Sequence, residues 1–76
     1  MENRIRRHMH HVVVFTNTQM PGKQAAAYSY IAPKVRVARK WFKEEHPNRP
    51  ILKIFSVGVK EYSVDAEKYY ALYEES

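Results

Sequence analysis

Residues 33 to 47 read PKVRVARKWFKEEHP, and within them Arg36, Arg39, Lys40 and Lys43 recur at i, i+3, i+4 and i+7. On an α-helix, at about 100° per residue, that spacing sets four cations along one face. Their line is about 10 Å long, at 1.5 Å rise per residue. Such an array suits electrostatic docking on successive phosphates or on an acidic protein patch. Arg4, Arg6 and Arg7 form a second basic cluster near the N-terminus. Reading bases needs side chains matched to base edges, and the cationic face offers no Asn or Gln. The expectation is therefore phosphate contact, to DNA or RNA, with little sequence specificity.

Bond-making chemistry finds less support. With only two glycines, Gly22 and Gly58, neither a P-loop nor a dinucleotide-binding loop can be written. Cysteine is absent, and Ser29, Ser56, Ser63 and Ser76 lie in no motif that marks an activated hydroxyl. Glu61, Asp65 and Glu67 cluster where a helix start explains them through capping and the helix dipole. His8 and His10 share one side of a strand, but a metal site needs a third ligand that local spacing does not supply. The sequence thus points to a non-enzymatic protein with no cofactor and no metal.

The cationic face has a simpler explanation, since any amphipathic helix needs a polar back and Lys and Arg are good helix formers. The order of the charges argues against it. Lys34 and Arg36 stand near the positive end of the helix dipole, and Glu44 and Glu45 near the negative end, each placement costing a few tenths of a kcal/mol. By helical angle Lys34 and Glu45 project toward the apolar side of Val35, Val37, Ala38, Trp41 and Phe42. The remaining cations are then candidates for an external partner.

Six tyrosines add a second kind of surface. Tyr69, Tyr70 and Tyr73, with Leu72, give the last helix more bulky side chain than one sheet face needs, so they are candidate partner-binding residues. Tyr28 and Tyr30 suit base stacking or, more simply, cross-strand packing.

These residues must be positioned by a small scaffold. HMHHVVVFTN reads as a buried strand over 8–16, Pro21-Gly22 as a turn within a loop from Thr16 to Gln24, and AAAYSYI as a second strand over 25–31. Pro33 suits the first position of a helix over 33–46, which Pro47 ends, with His46 placed to assist the last carbonyls. ILKIFSVGVK, residues 51–60, is apolar on both sides and reads as a central strand, with Ile51, Phe55, Val57 and Val59 facing one way. Ser63 or Asp65 caps a final helix whose Ala66, Tyr69, Tyr70 and Tyr73 share a face. The expected fold is α+β, β-β-α-β-α, a largely antiparallel three-stranded sheet with helices packed on one face. Residues 1–7 are expected as a flexible basic arm and 8–76 as a single domain.

The 76 residues leave room for one core only, with 45% hydrophobic and 28% charged residues. The longest apolar run, Val12 to Phe15, is far short of a membrane span, and no apolar segment follows the basic start as a secretory signal would require. A cytoplasmic protein without membrane contact is expected. The net charge of +5 is divided as +8 over Met1–Lys43 and −3 over Glu44–Ser76. That split suits an anionic partner or mutual neutralisation of the two halves. The leading expectation is a basic module for nucleic acid. The alternative is an adaptor or inhibitor that docks on an acidic protein surface, similar in general character to phage-type accessory proteins. A homodimer that opposes the acidic and basic halves is the third reading.

Overall fold

The apolar run Val12–Phe15 lies in a strand that is paired on both edges. The computed structural model describes residues 3–18, 22 and 25–75, the last as backbone only. Its elements are β1 (Arg4–Thr16), β2 (Ala26–Ala32), α1 (Val35–Glu45), β3 (Lys53–Asp65) and α2 (Ala66–Glu75). They form a small α+β domain with an antiparallel sheet in the order β2-β1-β3. Gly22 has a φ of 82°, the left-handed turn geometry that glycine tolerates; Pro21 lies outside the described residues.

Two expectations are corrected here. The centre of the sheet is β1, and β3 is an edge. β2 pairs β1 over His10–Thr16, and the crossover through α1 delivers β3 to β1's other side, over Arg4–Phe15. β1 carries the denser apolar run, whereas β3 carries Lys60, Glu61 and Ser63, which an open edge tolerates. The basic arm is also strand from Arg4 onward, because its backbone pairs with Tyr62–Asp65.

The β1–β3 register slips between His11 and Val12, whose partners are Gly58 and Ser56, so Val57 is an extra residue on β3. The expected alternation of Phe55, Val57 and Val59 is interrupted by that bulge. Above it, Val12, Val14 and Thr16 share a face with Tyr28, Tyr30 and Ala32, and α1 lies over them. Val12, Ala32, Val37 and Ala38 form the central cluster, which Trp41, Ile54 and Leu72 of α2 also touch. The opposite face holds Val13, Phe15, Ile31 and Phe55, with the Phe15 and Phe55 rings stacked at 5.9 Å.

Local chemistry sets the ends of the elements. Pro33 disfavours a helical Ala32, so β2 continues to that residue. Lys34 stays extended at φ −145°, and α1 begins at Val35, two residues later than Pro33 suggested. His46 precedes Pro47 and leaves the helix, while its backbone N–H donates to the Phe42 carbonyl at 2.8 Å. It is this amide, not the imidazole, that closes α1. Thr16, fully buried, donates its hydroxyl to the Pro50 carbonyl at 2.7 Å and fixes the approach to β3. Asp65 caps α2 by accepting from the Lys68 amide at 3.1 Å, and the Asn3 carbonyl takes the Ala66 N–H at 2.8 Å.

Candidate functional site

Hydrophobic periodicity orients α1. Val37, Ala38 and Phe42 are buried against the sheet, and half-buried Val35 and Trp41 flank them. Phe42 packs at 5.8 Å from the Tyr28 ring and 5.0 Å from the His46 ring, and Trp41 lies 6.3 Å from the Tyr30 ring. Burying a Phe-sized side chain contributes about 1.5–3 kcal/mol relative to exposure. The helix cannot turn about its axis without losing these contacts. Arg36, Arg39, Lys40 and Lys43 are consequently held exposed on its far side.

The two charges expected toward the apolar side of α1 lie there, Lys34 half-buried and Glu45 exposed at its rim, and each finds a partner. Lys34 Nζ donates to the Tyr73 carbonyl at 3.0 Å and sits 3.6 Å from the centre of the Tyr73 ring. It is ill placed for the dipole of α1 but well placed for that of α2, whose C-terminal end it meets. Glu45 accepts a short hydrogen bond from the Tyr30 hydroxyl. Burial, and then this carboxylate, push the Tyr30 pKa above the ordinary tyrosine range. Half of the unfavourable charge order on α1 is thus explained by contacts within the chain. Arg36 and Glu44 keep the unfavourable placement.

The N-terminal arginines are held differently. Arg6 Nε donates to Glu61 Oε1 at 2.6 Å, a cross-strand ion pair. Arg4 donates to the Ser63 hydroxyl at 3.3 Å and carbonyl at 2.7 Å. Arg7 reaches the Arg6 carbonyl at 2.8 Å and the Tyr70 hydroxyl at 2.7 Å, with its guanidinium 5.8 Å from the Tyr70 ring centre. These contacts tie the cluster to β3 and α2 rather than to α1. Arg6 also holds the Glu61 carboxyl below the usual carboxylate range, first by the hydrogen bond and then by its charge.

Of the tyrosines, Tyr28 and Tyr30 are turned under α1. Tyr28 accepts from Arg49 at 2.9 Å, so neither ring is a free platform for bases. On α2, Tyr69 packs edge-on to Tyr70 at 5.4 Å and stacks on Tyr73 at 5.7 Å, and Tyr70 and Tyr73 are exposed. His8 and His10 point to one side of β1, and His10 Nδ1 lies 3.0 Å from the Ser56 hydroxyl. Among the described residues no group of three His, Asp or Glu side chains comes together as metal ligands, and no helix is long and apolar enough to cross a membrane.

One surface escaped the sequence reading. Val57 and Val59 are exposed on β3, and Leu52 just before it, where the sequence suggests a strand covered on both faces; Tyr62 is exposed beside them. The neighbouring Lys60, Glu61 and Ser63 were the signal of an edge. Comparison with known proteins finds no matching family model, curated protein or solved structure.

Proposed function

We propose that the chain is a non-enzymatic binding module that docks the cationic face of α1 on nucleic-acid phosphates. The observation that carries this reading is the fixed orientation of α1, with Phe42 and Ala38 fully buried and Arg36, Arg39, Lys40 and Lys43 all exposed on the other side. The buried face immobilises the helix, so the cations are presented as a rigid row. Docking them releases counterions from the phosphates, which gives a binding constant that falls steeply with salt. With no amide side chain in the row, contact is to backbone and specificity is low. Arg4, Arg6 and Arg7 add less than their charges suggest, because each already donates hydrogen bonds within the chain.

A mobility-shift titration over a salt series tests the reading, comparing the wild type with the variant in which Arg36, Arg39, Lys40 and Lys43 become Ala. Loss of four phosphate contacts lowers the log-log salt slope by about 3.6 on duplex DNA. Absence of wild-type binding at low salt, or an unchanged slope in the variant, overturns it.

A second reading rests on Tyr70 and Tyr73, which α2 leaves exposed. Here the chain is an adaptor or inhibitor whose tyrosines bury against an acidic partner protein. A pull-down from the native host that keeps a stoichiometric protein partner after nuclease treatment favours it. Loss of every partner on that treatment favours nucleic acid.

A further inference from the structure

The open edge of β3 is the largest feature that the phosphate-binding reading leaves unused. β3 is thirteen residues long, contains no proline, and exposes Val57 and Val59 by about half and Tyr62 by about a third. Monomeric proteins blunt such edges with short strands, prolines, bulges or charged side chains, because a row of unpaired N–H and C=O groups invites another strand; β3 has the bulge at Val57 and the charges of Lys60 and Glu61, but it is neither short nor interrupted by proline. The bulge at Val57 leaves the stretch from Gly58 to Asp65 in regular pairing with β1, and among the described residues no strand pairs with its other edge.

The surface area points the same way. The chain exposes 5543 Å², whereas general scaling gives ~4,850 Å² for a compact monomer of 9.0 kDa. The excess, about 700 Å², is close to the ~800 Å² that each partner gives to a standard interface. The radius of gyration is 14.2 Å, against ~11 Å for a compact chain of this length. Both quantities describe an extended chain that leaves more surface open than a compact one of its size. The β1–β3 ribbon, which runs beyond β2 over Arg4–Met9, is the part that makes the molecule 49 Å long.

We infer that β3 is the interface between two copies of this chain, paired antiparallel across a two-fold axis so that the sheet continues as β2-β1-β3-β3-β1-β2. The symmetry restricts the register. Opposed residues in a sheet share a face, and a two-fold axis perpendicular to the sheet keeps each face on its own side. The strand must therefore pair around a single residue. Centring on Lys60 opposes two cations, and centring on Glu61 opposes two carboxylates, both destabilising. Centring on Val59 opposes two valines, sets Lys60 across from Gly58 and Val57 across from Glu61, and so opposes no like charges. The same symmetry puts both α1 helices on one face of a six-stranded sheet. The inference stands apart from the phosphate reading, and either survives failure of the other.

Sedimentation equilibrium of the full chain without nucleic acid, at micromolar concentration, reads the assembly directly. The expected mass is twice the 9.0 kDa of one chain. Val59→Lys opposes two cations at the centre and raises the dissociation constant about tenfold or more, and since Val59 is exposed the circular-dichroism spectrum stays native. Val59→Cys supplies the chain's only thiol. Its copies face one another at about 5 Å between Cα atoms, within disulfide reach, so mild oxidation yields a covalent dimer. Asn48→Cys, at an exposed position between α1 and β3 and outside the strand, serves as the control. A monomer throughout the micromolar range, a dimer indifferent to Val59→Lys, or cross-linking through Asn48→Cys as fast as through Val59→Cys overturns the inference.

Discussion

Arg39 on α1 and Arg6 on β1 are the same residue type on the same basic half of the chain, yet the fold treats them in opposite ways. Arg6 stands across the ladder from the acidic end of β3 and donates to Glu61. Arg39 stands on the outer side of a helix whose inner side is sealed by Phe42. The charge split between the halves of the sequence therefore has two outcomes within one molecule. Where basic β1 meets the acidic end of β3, Arg6 is neutralised by Glu61 and Arg4 is hydrogen-bonded to Ser63; on α1 the cations are directed outward. Antiparallel pairing brings residues close together whatever their sequence separation, whereas an amphipathic helix separates its charged side from the rest of its own fold.

The strongest way to break this contrast is to remove what orients α1. Phe42→Ala deletes the largest fully buried side chain, with an expected loss of about 3–5 kcal/mol in urea or thermal unfolding. That is a large share of the roughly 4–11 kcal/mol total expected for a domain of this size. Nucleic-acid affinity should fall with it at temperatures where the variant unfolds, and recover on cooling. A loss below about 1 kcal/mol would mean that the helix is not anchored through this ring.

Next in size is the contrast itself. Arg39→Ala should lower the salt slope of binding by about 0.9, one phosphate contact, while Arg6→Ala should change it by much less. Equal effects of the two substitutions would dissolve the distinction between a presented and an engaged arginine.

Much of this architecture was legible in the sequence. The β-branched run Val12–Phe15, the prolines at 33 and 47 and a cap at Ser63 or Asp65 carry local rules, and the five elements follow in the expected order; α1 starts two residues later than Pro33 suggests, while β1 begins at Arg4 rather than 8 and β3 runs on to Asp65 rather than 60 because the two backbones pair there. The outward row on α1 was legible because helical periodicity is a local property. Strand order was not, because Ile51–Val59 and Val12–Phe15 are both apolar, and nothing local says which pairs on two edges. The engagement of Arg4, Arg6 and Arg7 was hidden for the same reason, since Glu61 and Ser63 lie more than fifty residues away. The lean of Lys34 and Glu45 toward the apolar side is legible from helical angle, but their partners on α2 and β2 are set by the tertiary fold.

A smaller effect sharpens the account of the helix ends. Tyr30→Phe removes the hydroxyl that Glu45 accepts from and should cost about 1 kcal/mol. The Tyr30 pKa is raised in the folded state, so the bond's contribution is full below the ordinary tyrosine range and is lost as pH rises through the folded value. Wild type and variant should therefore converge in thermal stability under strongly alkaline conditions. A stability gap that does not depend on alkaline pH would assign the cost to packing against Trp41.

The smallest effect is the most discriminating, because it acts on Arg6 without touching it. The Glu61 carboxyl is lowered from 4.5 in the folded state, so its contribution is complete above the ordinary glutamate range and disappears as pH falls through the lowered value. The pair is exposed, and the stability change between wild type and Glu61→Gln should be slight. Binding is the better readout. If Glu61 is what withholds Arg6 from phosphate, Glu61→Gln at neutral pH should steepen the salt slope by up to about 0.9, and Arg6→Ala in that background should remove the gain. An unchanged slope would mean that the position of Arg6 on the β1–β3 ribbon, and not its ion pair, keeps it from the ligand.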